Sequence, residues 1–447
     1  FAAAAPAPAP TTAARPAAEL AVGAAPAVPG PAEEGNRRRE RLFNVVKPAV
    51  VVVYWTAQAR FPTACGPGTG STYGVGSGWV VTADGYVVTN GHVVQDYQGG
   101  NETRLRLALF KKAVLAACGP RSDAQVLRQW KTLAAGRNVQ IERALAVVLQ
   151  NGQQYAAEIK QYSPPISPAP GKQALAVGGD EVALDPGKDV AVLKIEGREF
   201  PTVRVGDSDN IALGAAVYVA GYPGAVAFNP LLGKTTTLEA SFTSGHVSSL
   251  KATPTGMHVL QIDAAVTHGN SGGPVFDDAG QVVGMATFGS TGAGGDAVQG
   301  FNFAVPSNSV REFLRAAGVD TRPSRFDDAW QQATAAFFGR RDCDAAMKWA
   351  DVALNYQPGM RDAMALKRRA LDGVTRHTAD CEAPTRHAGG NGADTVVDTL
   401  VVPPRVNGDN TGMVALLVGV VGAGAVVAAV ARSLRAAMVR LPADRPD

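Results

Sequence analysis

Short runs of Val, Ile and Leu broken by glycine-rich turns dominate residues 43 to 318, a pattern that predicts mostly β structure. VVKPAVVVVYW (45–55) is a strand-like run that includes a proline. GSGWVVTADGYVVTNGHVV (76–94) predicts a hairpin, since two β-branched runs flank Asp84 and Gly85, a pair suited to a tight turn with positive φ. ALAVVLQNGQQYAAEI (144–159) repeats that device at Asn151 and Gly152, and DVAVLKI (189–195), AAVYVAGYP (215–223) and QVVGMATFG (281–289) add strands. The spacing suits a barrel or sandwich. Two departures from the β pattern stand out. Helical spacing over about 103–136, broken at Gly119 and Pro120, predicts two helices inserted between strands. SNSVREFLRAAGV (307–319) predicts a helix closing the β domain, with Ser309 and Glu312 as a capping box and Gly318 as its stop.

The ends of the chain change the picture. Residues 1–32 hold 15 Ala and 7 Pro with no apolar period, and NRRRER (36–41) follows. Residues 1–42 therefore read as a disordered linker ending in a solvated charge run. MVALLVGVVGAGAVVAAVA (413–431) is an uncharged stretch whose helix would be about 28 Å long, close to a bilayer's hydrocarbon core. Residues 412–431 are thus expected to span a membrane. Arg432, Arg435 and Arg440 place the 432–447 tail in the cytoplasm, and the rest outside.

That compartment suits the four cysteines, Cys65, Cys118, Cys343 and Cys381, as disulfides. Three pairings are open, and Cys65 with Cys118 and Cys343 with Cys381 keep each bridge inside one domain. No CxxC pair occurs, so neither a metal nor another cofactor is expected. With 42 basic and 39 acidic residues, the net charge of +3 offers no field for nucleic acid.

Candidate chemistry centres on THGNSGGPVF (267–276), which sets Ser271 among three glycines. Attack by a serine on an amide needs a base, a carboxylate to fix the base's tautomer, and N–H donors for the oxyanion. The glycines let the backbone aim those donors at one point. His92, expected at the end of the second strand of the 76–94 hairpin, is the base; His246, His258 and His268 compete, and His268 is too close along a tight turn to point back. Asp189, at the start of a buried-looking strand, is the carboxylate, with Asp180 and Asp185 as alternatives in a Gly- and Pro-rich approach.

The motifs TNGHVV, DVAVLKI and GNSGGPV, with VVKPAVVVV before them and GFNFAVPSNSV (300–310) after, resemble the HtrA (Deg) family of chymotrypsin-like serine proteases. The resemblance implies two six-stranded β-barrels with the active site between them, and cleavage of polypeptide substrates. It assigns Ser271 as nucleophile, His92 as general base and then acid, and Asp189 as the orienting carboxylate. The N–H groups of Gly269 and Ser271, with Asn270 between them, become the oxyanion hole. Ala265 would lie at the base of the specificity pocket, with Asn302 and Phe303 on its wall, favouring small to medium apolar side chains. Trimers are common in the family, so a homo-oligomer is one expectation.

Two features depart from that family. A long stretch separates His92 from Asp189, holding the helical insertion and the proline-rich loop 161–173. No PDZ-like module follows the protease domain (43–320). Instead, residues 325–381 resemble one tetratricopeptide repeat and the first helix of a second, with Trp330, Ala333, Thr334, Phe337, Ala346, Ala350, Ala353 and Pro358 in place. This segment is either a spacer packed on the barrels or a site for a peptide or protein partner. A flexible tether, 382–411, would lead on to the membrane. The expected function is a membrane-anchored serine endopeptidase acting on misfolded or regulatory extracytoplasmic proteins. The alternative is a non-proteolytic scaffold or chaperone-like binder.

Overall fold

Two closed six-stranded antiparallel barrels and a helical unit make up the computed structural model. It describes residues 31–99, 102–134, 138–166, 175–177, 180–182, 187–224, 238–253, 256–291, 297–376, 378 and 380–381. The first barrel is ordered β1 (Val50–Thr63), β2 (Gly66–Val80), β3 (Tyr86–Thr89), β8 (Ala191–Ile195), β5 (Gln154–Tyr162) and β4 (Glu142–Val148). A small two-stranded sheet, β6 (Leu175–Val177) with β7 (Asp180–Val182), lies in the β5–β8 connection. The second barrel is built from β9 (Ala216–Gly221), β10 (Ser241–Ala252), β11 (His258–Ile262), β12 (Pro274–Phe276), β13 (Val282–Thr291) and β14 (Ala297–Pro306), ordered β10-β11-β14-β13-β12-β9. Gly85 and Gly152 adopt the positive φ that the two expected hairpin turns require.

Closure of each barrel removes its sheet edges and leaves one barrel face to be buried by the other. Val50, Trp79, Val88 and Val192 from the first barrel share a core cluster with Tyr218, Phe276, Met285 and Val305 from the second. The candidate site residues Asp189 and Ser271 lie along this seam.

The expected helical insertion forms α3 (Glu102–Cys118), α4 (Asp123–Gln129) and a single wide turn at Trp130–Ala134. It packs on the long β1–β2 ribbon, where a side chain on Gly68 or Gly70 would collide with the α3 backbone. Leu109, Phe110 and Val114 bury against Phe61 and Trp130 there. Helix α5 (Ser307–Ala316) ends before Gly318 at positive φ, as expected. Its start differs: the helix begins directly after Pro306, and Ser307 Oγ donates to Gly206 O, so Ser309 and Glu312 form no capping box.

The charge run is not a solvated end to a linker. Residues 31–46 form helix α1 (Pro31–Val46), which crosses the boundary expected at residue 42 and packs on the C-terminal helices. Arg37 donates to Phe337 O at 3.0 Å, and Glu40 pairs with Arg369. Those helices are α6 (Arg325–Thr334), extended by a wide turn at Ala335–Arg340, α7 (Cys343–Tyr356) and α8 (Arg361–Arg376). Small residues Ala333, Ala346, Ala350 and Ala353 let them approach closely around Trp330 and Phe337. Both expected disulfides, Cys65–Cys118 and Cys343–Cys381, are formed.

The expected linker before residue 31, most of the proline-rich loop, the tether, the span at 412–431 and the tail lie outside the described residues. Among the described residues, no helix is long and apolar enough to cross a membrane.

Candidate active site

Asp189 occupies the residue pair just before β8 and is 1% exposed. Its φ of 55° is a left-handed backbone that aspartate tolerates better than most residues. Two bonds hold that turn: Asp189 N donates to Pro164 O at 2.9 Å, and Asn90 Nδ2 donates to Asp189 O at 3.1 Å. His92 lies in the first turn of helix α2 (Gly91–Gln98), not at the end of a strand as the hairpin pattern suggests; β3 stops at Thr89. A helix start leaves backbone N–H groups unpaired, and here the His92 N–H is satisfied by Asp189 Oδ1 at 2.8 Å. The ring Nδ1 faces the same carboxylate, 2.9 Å from Oδ2 and 3.1 Å from Oδ1. Facing a carboxylate, Nδ1 carries the proton and Nε2 is left as the basic nitrogen.

Burial acts to lower the His92 pKa, but the charge and hydrogen bond of Asp189 outweigh it and leave it raised. Thr287 Oγ1 also donates to Asp189 Oδ2, giving the buried carboxylate a third donor. Thr287, Asn90 and Ser77 were not singled out in the sequence. They act across long sequence separations, which short motifs and periodicity do not register.

Ser271 lies in a loop pinned from both barrels. Its carbonyl accepts from Ser77 N at 2.8 Å, while Ser77 Oγ donates to Gly269 O at 2.6 Å and accepts from Tyr222 N at 2.9 Å. The loop turns at Gly269 and Gly272, with φ of 99° and 85°. A side chain at Gly272 would strike Ser77 O and Thr89 Oγ1. His268 O accepts from Gly224 N at 2.7 Å. Because N–H and C=O of a trans peptide point opposite ways, this aims the Gly269 N–H away from Gly224. Among the described residues, neither Gly269 N nor Ser271 N has a protein acceptor. Asn270 N bonds Thr267 O, and the Asn270 side chain is buried in the loop. Ser271 Oγ donates to Thr287 O at 3.3 Å, and no hydrogen bond joins it to the His92 ring.

The competing residues lie elsewhere. The His246 ring is exposed beside Asp263, His258 and His268 are exposed, Asp180 is in β7 and Asp185 is outside the described residues. Ala265 is exposed and its carbonyl accepts from Thr243 Oγ1 at 2.7 Å. Asn302 is buried and donates to Ala264 O at 2.8 Å, whereas Phe303 stacks on Phe288 with centroids 4.8 Å apart. Neighbouring residues of a strand face opposite sides, so these two do not line one wall together. No cluster of metal-ligating side chains occurs among the described residues.

The trypsin-like peptidase domain family matches residues 76–285, the span that contains His92, Asp189 and Ser271. The chain carries a trypsin-like peptidase domain. Within it and beyond, the chain is 31% identical over 254 residues to a probable periplasmic serine endoprotease DegP-like from Ectopseudomonas mendocina. That similarity covers 56% of this chain and 36% of the relative. The mitochondrial serine protease HTRA2 of Bos taurus is 29% identical over 278 residues, covering 60% of this chain and 41% of its own. The chain is similar to both over its peptidase domain and spans less than half the length of either. The solved HtrA-type protease AlgW with decapeptide covers 62% of this chain at 20% identity and a TM-score of 0.38, too low to carry an argument.

Proposed function

We propose that this protein is an extracytoplasmic serine endopeptidase that hydrolyses polypeptides through an acyl-enzyme, with Ser271 as nucleophile, His92 as base and Asp189 as its orienting carboxylate. The observation that carries the reading is the His92 Nδ1–Asp189 pair at 2.9 Å beside a loop whose Gly269 and Ser271 N–H groups have no acceptor among the described residues. Partly exposed N–H groups left free on one loop can donate to a substrate, and a developing oxyanion is the acceptor they suit.

The chemistry runs in two halves. Ser271 Oγ turns from Thr287 O towards His92 Nε2, gives up its proton and attacks the substrate carbonyl. The N–H groups of Gly269 and Ser271 hold the oxyanion, and Asp189 stabilises the charged imidazole ring. His92 then protonates the leaving amine, and a water activated by the same ring releases the acyl group.

The DegP-like relatives are described as periplasmic, and both disulfides suit that oxidising side. The apolar stretch 413–431 is the membrane anchor in this reading, with unfolded or regulatory extracytoplasmic proteins as substrates. The three helices α6–α8, with alanines at tetratricopeptide-like positions, form a spacer docked on the barrels.

The test is labelling of the full chain by a serine-directed fluorophosphonate together with cleavage of unfolded casein. Both are expected in the wild-type protein, and both should vanish in Ser271→Ala. A full chain that neither labels nor cleaves refutes the endopeptidase.

A further inference from the structure

Asn90 lies where the segments carrying Asp189, His92 and Ser271 meet, and it is 0% exposed. It directly precedes helix α2, whose second residue is His92. On the Ser271 side, a Cβ on Gly272 would come within 3.1 Å of Asn90 N. On the Asp189 side, Asn90 Nδ2 donates to Asp189 O at 3.1 Å. The following residue, Gly91, is pressed on the same turn: a Cβ there would strike Ser163 O and lie 3.4 Å from Asp189 Cα.

The amide is used in an unexpected way for its place in the chain. An asparagine directly before a helix ordinarily accepts, through Oδ1, a hydrogen bond from an N–H of the first turn. Asn90 makes no such cap, and its buried Oδ1 has no hydrogen-bond partner among the described residues. The capping task passes instead to Asp189, whose Oδ1 accepts from His92 N at 2.8 Å. Each side chain thus fixes the other's backbone segment. An unpaired buried acceptor is unfavourable, so the side chain is committed to the bond that Nδ2 makes. Turning the amide over would set Oδ1 against Asp189 O, two acceptors with no proton between them. What the bond holds is the left-handed φ of 55° at Asp189. Relaxed to an extended backbone, that turn would swing the carboxylate away from the His92 backbone and ring, which it now meets at 2.8 and 2.9 Å.

We propose that Asn90 is a positioning residue for the reaction: by holding Asp189 O, it keeps the carboxylate in the turn from which it orients the His92 ring. This rests on the endopeptidase reading above and adds to it a buried residue that acts through Asp189 and touches no substrate.

Two variants of the full chain separate this role from that of merely starting a helix. Asn90→Ser removes the amide but supplies a favoured residue for the position before a helix. Asn90→Leu keeps the branched shape and neither function. Both are expected to slow fluorophosphonate acylation of Ser271 by about 10- to 100-fold, as a catalytic group misplaced by about 1 Å does. In cleavage of fluorescently labelled unfolded casein the loss should fall on kcat, with KM kept within a few-fold. The pH midpoint of acylation should move down in both, because Asp189 no longer outweighs the burial of His92. If Asn90 only starts α2, Asn90→Ser keeps the wild-type rate and midpoint, and the proposal is overturned. A slower Asn90→Ser with an unshifted midpoint overturns it as well, since the base is then still set by Asp189. Should Asn90→Leu not unfold cooperatively, Asn90→Ser decides alone. Either failure leaves the endopeptidase standing, whereas wild-type protein that does not label takes down both.

Discussion

At the residue scale, Asp189 concentrates the design of the site. One carboxylate caps the His92 backbone N–H, holds the imidazole Nδ1 and accepts from Thr287, which is why it is buried in a strained left-handed turn. DVAVLKI made Asp189 visible as a candidate, but Thr287 looked like one more residue of a strand. The raised pKa of His92 has a definite sign. Catalysis needs the neutral ring, so fluorophosphonate acylation should rise with pH through a midpoint above the ordinary histidine value of about 6.5. For stability the same shift works the other way: its contribution is full below about pH 6.5 and is lost as pH rises through the folded-state pKa. Asp189→Asn should lower the acylation rate by about 10⁴-fold and move the midpoint down, because the opposing charge is gone while burial remains. An unshifted midpoint would mean that Asp189 does not set the base.

At the element scale, one disulfide and one buried carboxyl tie the added helices to the barrels, while Cys343–Cys381 closes the helical unit on itself. Cys65 lies in the β1–β2 turn and Cys118 ends α3, 53 residues on, so the bridge fastens the insertion to the ribbon. Cys65→Ser with Cys118→Ser should cost about 2–4 kcal/mol, read as a lower unfolding midpoint than that of the oxidised wild type. Asp327 caps α6 through Ser324 and also accepts from Thr202 N at 2.8 Å, joining the helical unit to the second-barrel approach. Burial pushes its pKa up to about 6 despite those donors. A raised carboxyl stabilises the fold most below its unfolded value of about 3.9, and that contribution fades as pH climbs to about 6. Asp327→Asn should therefore flatten the pH dependence of the melting temperature between about pH 4 and 6; an unchanged slope would assign the dependence to other groups.

At the scale of the whole molecule, the helical unit is joined to the catalytic loop by a line of polar contacts. Asp362, at the start of α8, accepts from Lys47 Nζ at 2.9 Å and from Gln150 Nε2 at 2.8 Å. Burial would lower the Lys47 pKa, but Asp362 and Glu239 more than offset it and keep the ammonium charged. Lys47 leads into β1, where Val50 O accepts from the buried Tyr222 hydroxyl at 3.2 Å. Tyr222 N reaches Ser77 Oγ, and Ser77 reaches Gly269 O. Breaking a largely buried pair costs about 3 kcal/mol, so Asp362→Ala should lower the melting temperature. It should also slow fluorophosphonate acylation of Ser271 several-fold. A lower melting temperature with unchanged acylation would confine the junction to holding the helices in place.

The sequence by itself determined most of the first-barrel strands, some of the second, the two hairpin turns, the inserted helices and the candidates for the catalytic residues. Each of these is written locally, in alternation, in turn chemistry or in a short motif such as GNSGGPV. Tertiary structure alone decided that the Arg-rich run is a helix clamped to Phe337 and Asp380, and that His92 opens a helix capped by Asp189. It also decided that Asn302 donates to Ala264 O, and that Ser271 rests on Thr287. These outcomes depend on pairing between residues far apart in the chain. The charge, turn and strand preferences of each residue are the same whether or not such a partner is present, so only the assembled fold selects among them.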